Sequence, residues 1–155
     1  MTPIDPLPLT HSWPLFERGL QFELGCVSGC SEVVRIDPAL DGLALARHGI
    51  GTWECDLRDD ALTWSAGVYD LFGLPRGARL LRPEMVALYS ERSRAAMERL
   101  RAYAIRHRRG FTLDAEILSA HGGHRWMRLV AAPICKGERV VRLHGLKRDV
   151  SHEYA

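Results

Sequence analysis

The sequence predicts an α+β domain built on one antiparallel sheet, with helices on one face and an extension ahead of it. Three observations carry that prediction. Strand-like segments fall into two groups, two early in the chain and three consecutive at its end. Helical segments, several short and one long, lie between the groups, and turn residues join the strands within each group. This segregation of helices from strands excludes the alternating order of a parallel α/β sheet.

With 155 residues, 46% hydrophobic and 26% charged, the chain suits one core better than two. Pro3, Pro6, Pro8 and Pro14 interrupt any regular element before about Leu15, which predicts an arm or irregular cap. From Gln21 to Asp37, Phe22, Leu24 and Cys26 alternate, Ser28-Gly29 offers a turn, and Val33, Val34 and Ile36 follow, so a hairpin is expected. Asp37-Pro38 then reads as a helix start, with Leu40, Leu43, Leu45 and Ala46 as a short apolar face before Gly49. Residues 1–42 are read as arm and cap, 43–152 as the domain proper and 153–155 as a tail.

Within the domain, Ile50 to Asp56 and Ala61 to Trp64 are strands joined by a turn at Asp59-Asp60. Ser65 is expected to cap a helix through Val68, Tyr69, Leu71 and Phe72, which Gly73 ends. A second short helix is expected from Pro83 to Tyr89. The strongest helical pattern runs from Glu91 to Arg109, with Ala96, Met97, Leu100, Tyr103, Ala104 and His107 on one side and arginines largely elsewhere, stopped by Gly110. Phe111 to Ser119, Arg125 to Cys135 and Arg139 to Asp149 complete a meander, with turns at Gly122-Gly123 and Lys136-Gly137.

Five segments, in this order, resemble the PAS domain family, specifically the subgroup common in bacterial sensor histidine kinases and diguanylate cyclases. They are Gly49 to Asp56; Leu62-Thr63-Trp64-Ser65 leading into Tyr69 to Leu74; Phe111 to Glu116; Gly123-His124-Arg125-Trp126; and Leu143 to Ser151. Two departures stand out. The family's His-Pro-x-Asp ahead of the long helix is replaced by Tyr89-Ser90-Glu91-Arg92, so Ser90 must cap that helix with Glu91 near its positive end. The family's Glu-x-Arg is here Glu116-Ile117-Leu118, which leaves Glu116 to find another partner.

The resemblance implies a five-stranded antiparallel sheet closed by helices over a concave face that holds haem, flavin, an organic acid or nothing. By strand alternation and helix spacing, the wall of such a pocket is Trp53, Tyr69, Phe72, Met97, Leu100, Leu113, Trp126 and Leu143. The same residues equally make a filled core. Light-sensing flavin members carry a reactive cysteine in a helix, and Pro83 to Arg109 contains none, which argues against that photochemistry. His107 and His144 are the candidate haem ligands. However, His107 lies among Arg106, Arg108 and Arg109 and reads as a solvated helix end, while a strand histidine reads as a surface or hydrogen-bonded residue. Whether any cofactor or ligand is bound, and which, stays open.

Cys26 with Cys30, and His121 with His124, each lack the second pair that a zinc site needs, so no metal is expected. No nucleophile, phosphate-loop or metalloprotease motif is present, and the domain is expected to be non-catalytic. The net charge of +2 argues against nucleic acid as a partner despite the arginine-rich helix. No apolar run reaches the ~18 residues of a membrane span, and Met1 to Leu9 lacks signal-peptide character. A cytoplasmic location follows, with Cys26, Cys30, Cys55 and Cys135 reduced.

Asp149-Val150-Ser151 keeps the form of the family's output motif, which makes Asp149 and Ser151 the expected signal-output residues. The expected function is a sensor module for signal transduction, acting through dimerisation or protein-protein interaction, as a homodimer and with a partner such as a kinase or cyclase. The alternatives are a stand-alone sensor of a small molecule or haem, and the input fragment of a larger histidine kinase or cyclase.

Overall fold

The computed structural model describes residues 42–154. The hairpin expected before Asp37 and the start of the helix expected at Asp37-Pro38 lie outside the described residues. Helix α1 (Gly42–Ala46) leads into strands β1 (Ile50–Asp56) and β2 (Ala61–Trp64), then α2 (Ala66–Phe72), α3 (Arg82–Val86) and the long α4 (Glu91–His107). Strands β3 (Phe111–Leu118), β4 (His124–Lys136) and β5 (Arg139–Asp149) follow, and a single 3-10 turn covers Ser151–Glu153. The predicted α+β class and the antiparallel five-stranded sheet are both present, in the order β2-β1-β5-β4-β3. The first and last strands are therefore neighbours at the centre. Among the described residues no helix is long and apolar enough to cross a membrane.

Alternation gives the sheet an inner face, under the helices, and an outer face. On β1, Gly51, Trp53 and Cys55 are buried while the residues between them are half-buried. The core between inner face and helices contains Phe72, Phe111, Leu113, Ile117, Met127 and Leu143, all almost wholly removed from water. Helix α2 lies directly on β1 because both carry glycine at the contact. A Cβ on Gly67 would stand 2.0 Å from the Ile50 carbonyl oxygen, and one on Gly51 would stand 2.4 Å from the Val68 nitrogen.

The helix ends depart from their sequence reading in instructive ways. Ser65 stands at the N-cap of α2 but makes no cap hydrogen bond, because its hydroxyl accepts the Thr52 N–H at 2.8 Å and so fastens β1 to the turn. Ser90 does cap α4, accepting the Ser93 N–H at 3.2 Å, with Glu91 in the first turn. That end is tied to β3 as well: the Glu116 carbonyl accepts the Ser90 N–H at 2.8 Å, and Ser93 Oγ accepts the Glu116 N–H at 2.8 Å. Gly110 was expected to stop the helix. Arg108 does so instead, in the left-handed conformation at φ 56°, where it precedes the Arg109 N–H bond to the Ala104 carbonyl. Cys55 is a free buried thiol, whereas Cys135 is disulfide-bonded, which corrects the expectation of a thiol there. The expectation rested on compartment alone, not on geometry.

Candidate functional site

Between the inner face and helices α3 and α4 lies a cavity of about 50 Å3. Strands β1 and β2 contribute Trp53, Cys55, Leu62 and Trp64, and β3 to β5 contribute Phe111, Leu129, Leu143 and Lys147. The helical side supplies Arg82, Met85, Val86 and Tyr89 from α3 and the turn after it, and Met97 and Arg101 from α4.

One glycine shapes this floor. Gly145 is the register partner of Trp53, and a Cβ there would stand 1.9 Å from the Val130 carbonyl oxygen. With no side chain in the way, Trp53 reaches across β5 and donates its indole N–H to that same carbonyl at 3.2 Å. The next inner-face position on β5 is Lys147. It is only 7% exposed, and its ammonium lies 5.1 Å from the ring centre of Phe72, 5.3 Å from Trp64, 5.5 Å from Trp53 and 5.9 Å from Tyr89. It makes no hydrogen bond or ion pair among the described residues. Burial pushes its pKa down to about 7; the Cys55 sulfur opposes the shift and the Arg82 charge adds to it. The faces of the four rings favour the ammonium and offset part of that cost.

The other cations at the cavity are already paired. Arg82 donates to Glu98, and Arg101 donates to Asp60 at 2.9 Å, each carboxylate being the more exposed partner. Burial raises the Cys55 thiol pKa, against the lowering influence of Arg101. Burial likewise raises the pKa of Tyr89. Trp64 stacks on Phe72 at 5.0 Å, and its indole N–H is buried with no acceptor. Among the described residues the cavity thus presents an uncompensated cation, and neither an aspartate nor a glutamate lines it.

The outer face carries a second cluster, where the chain leaves the sheet. Asp114, fully buried, accepts two bonds from Arg128, at 2.8 and 2.9 Å, and a third from the Tyr154 hydroxyl. Arg128 also donates to Glu153 at 3.1 Å, and Tyr154 stacks on Trp126 at 4.3 Å. Burial and the Asp114 carboxylate both raise the Tyr154 pKa. Asp149 Oδ1 accepts the Ser151 N–H at 2.9 Å, and Ser151 Oγ accepts the Trp126 N–H at 3.0 Å. Asp149 and Ser151 therefore pin the exit turn to the start of β4.

No protein-family model and no curated protein matches the chain. Solved structures do. The N-terminal domain of a diguanylate cyclase with PAS/PAC sensor from Marinobacter aquaeolei superposes with a TM-score of 0.63 at 17% identity, over 68% of this chain and 99% of that one. A sensory box histidine kinase/response regulator from Burkholderia thailandensis gives 0.59 at 17% identity, over 72% and 85%. An RNA-binding light-oxygen-voltage receptor gives 0.59 at 16% identity; the match covers 67% of this chain but only 30% of the receptor. The chain has the PAS fold.

Within this PAS fold, Trp53, Met97 and Leu143 of the sequence-inferred pocket line the cavity. Phe72 and Leu113 belong to the core around it, and Tyr69 and Leu100 pack half-buried against that core. Trp126 alternates with the inner-face residue Met127, and so lies on the outer face against Tyr154. His144 shares the outer face, opposite Glu54, and burial lowers its pKa; His107 is exposed beside the Tyr103 ring. Neither histidine is among the cavity-lining residues. His124 pairs with Glu116 at 3.0 Å, which answers the partner question left by the missing arginine, and Arg125 instead donates to the carbonyls of Asp70 and Leu71 at 2.8 and 2.6 Å.

Among the described residues no group of three or more His, Cys, Asp or Glu side chains could hold a metal; Cys26 and Cys30 lie outside them. Cofactor pockets run to several hundred Å3. A cavity of about 50 Å3, crowded by Trp53, Met97 and Lys147, does not fit a flavin or haem with the side chains as they stand. Sequence reasoning missed Lys147, Arg82, Arg101, Trp64 and Tyr89 as cavity residues. The signal for Lys147 was present: it alternates with Leu143 and Gly145 on one strand.

Proposed function

We propose that this PAS domain is a non-catalytic sensor module for signal transduction, whose input is a small molecule held in the inner-face cavity. Its output passes through Asp149 and Ser151 to a signalling partner such as a kinase or cyclase. The observation that carries the reading is Lys147, a buried cation at a cavity whose ammonium has no partner among the described residues. A core needs no such residue, and buried groups with displaced pKa values cluster at functional sites. Lys147 and Asp149 are two residues apart on β5, so a contact at the lysine acts on the strand that leads to the exit. Likeness to domains of a cyclase and a histidine kinase supports the choice of partner.

A second reading is dimerisation through the segment ahead of β1, favoured by Leu43, which is 48% exposed on α1. Native mass spectrometry of freshly purified full-length protein, beside its denatured mass, tests both. The sensor reading expects added mass that is lost on denaturation and absent from the Lys147→Met variant. A dimer with no added mass in either protein would favour the interface reading and count against the sensor.

A further inference from the structure

We propose that Lys147 is a covalent site, whose amine condenses reversibly with a small aldehyde of about two to four carbons held in the inner-face cavity. This deepens the small-molecule reading above and rests on it. Residue choice, access and charge each point to a neutral carbonyl compound.

The chain meets almost every need for a cation with arginine. Of its 21 lysines and arginines, only Lys136 and Lys147 are lysine. Lys136 is exposed at the end of β4, whereas Lys147 is buried on the inner face. Arginine keeps its proton in proteins, but a lysine withdrawn from water can give its proton up and become a nucleophile. Arg82 and Arg101 already supply permanent charge at the cavity, so what a lysine adds there is a neutral amine. Burial, with the Arg82 charge adding to it, brings the pKa to about 7, which leaves about half of the amine unprotonated at neutral pH. For an ordinary lysine that fraction is below about one in a thousand.

The amine is accessible. Among the described residues, completely covered and unpartnered polar side-chain atoms occur on Trp64, Thr112 and His144 but not on Lys147. Its Nζ therefore keeps open surface, and the cavity is the space that its side chain lines. Four aromatic rings surround Nζ and keep bulk water away, which favours loss of water from an adduct and slows its hydrolysis.

Charge and size select the electrophile. Arg82 with Glu98, and Arg101 with Asp60, are each neutral as a pair, so an uncharged adduct leaves the cavity balanced. A carbamate formed from carbon dioxide would instead put a new anion there with both arginines engaged. About 50 Å3 has room for roughly three to five waters at about 10–15 Å3 each, and a short aldehyde has about as many non-hydrogen atoms. Leu129, Leu143 and Met97 offer apolar contact to its chain.

The Nζ lone pair adds to the carbonyl carbon, the C–N bond forms, and the carbonyl π pair moves to oxygen, which takes up one of the two amine protons. The hydroxyl then leaves with the second amine proton as water, and the nitrogen pair closes the C=N bond. No oxidant or reductant is needed. The other charged or titratable groups at the cavity are Arg82, Tyr89, Arg101 and Cys55, and burial keeps Cys55 a thiol.

The test exposes full-length protein at about pH 7 to limiting propanal with cyanoborohydride, which reduces an imine to a stable secondary amine and does not fix a thiol adduct. Intact mass and peptide mapping then follow Lys147, Lys136 and the N-terminal amine separately. One propyl group is expected at Lys147, formed at least about tenfold faster than at the more exposed Lys136. The preference is expected to vanish in urea, and Cys55→Ser is expected to keep it. Lys147→Met is expected to fold and to take up no propyl group in the cavity. Modification of Lys136 as fast as Lys147 in the folded wild type, or an equal preference in urea, would overturn the covalent site. In that case mass retained in the native spectrum and absent from Lys147→Met leaves the sensor reading standing, and no retained mass removes both.

Discussion

Asp114 and Lys147 sit on opposite faces of one sheet, both withdrawn from water, and their surroundings could hardly differ more. Asp114 meets a guanidinium and a phenol, and the guanidinium is shared with Glu153. Lys147 meets four aromatic faces and a cavity. Removing an ion from water costs several kcal/mol, which only good geometry and further hydrogen bonds repay. The outer-face charge meets that condition within the fold and fixes the exit of the chain. The inner-face charge does not, and a ligand can supply what it lacks. Buried charge by itself says nothing of role; what answers it does.

Exchanging one cation for methionine on each face breaks the comparison most sharply. Arg128→Met leaves Asp114 buried with only the Tyr154 hydroxyl, and is expected to cost about 3 kcal/mol or more in urea unfolding. A cost under about 1 kcal/mol would mean that the outer cluster does not hold the exit.

Lys147→Met makes the same chemical change with the opposite sign, an expected gain of about 1–3 kcal/mol near neutral pH. The gain carries a pH signature. The lysine titrates near ~10.4 when unfolded and at about 7 when folded. Between those values the unfolded chain binds more protons, so wild-type stability rises with pH. The advantage of Lys147→Met should be complete below about pH 7 and fade toward about pH 10. The other charged or titratable groups facing Lys147 are Arg82 from α3, Tyr89 after it, Arg101 from α4 and Cys55 from β1, and all are common to both proteins. A variant less stable than wild type at pH 6 would show that the rings outweigh desolvation and that Lys147 is a packing residue.

Tyr154→Phe is the finest of these cuts. It removes one hydroxyl from Asp114 while keeping the ring on Trp126, and about 1 kcal/mol should be lost, read as a small fall in Tm. No change would leave Arg128 as the sole effective partner of Asp114.

Much of this fold could be read from the sequence because its strands alternate cleanly and its turns carry glycine or aspartate. The β5 strand was bounded correctly at both ends, and the long helix to within two residues. The site was harder. Trp126 was assigned to the pocket by strand alternation taken one residue out of phase, since its neighbour Met127 holds the inner-face position. Lysine is almost never fully buried, so the residue type of Lys147 points away from a core position even where its alternation with Leu143 places it on the inner face. Arg82 and Arg101 come from two helices, and only the tertiary arrangement brings them to one cavity. The role of Ser65 was likewise out of reach, since its hydroxyl turns to Thr52, thirteen residues back, instead of to its own helix.

Because β1 and β5 are central neighbours, the Gly49 carbonyl accepts the Asp149 N–H at 2.9 Å, and the chain enters and leaves the described domain at almost one point. Seen as a mechanical element, the domain is a loop closed by a zipper. Tension between the segments on either side would load the β1–β5 hydrogen bonds one after another, from Ile50 opposite Arg148 toward Asp56 opposite Arg142. A pair peeled in that way opens at low force. Lys147 stands at the second rung, opposite Gly51, where the first separation would be felt.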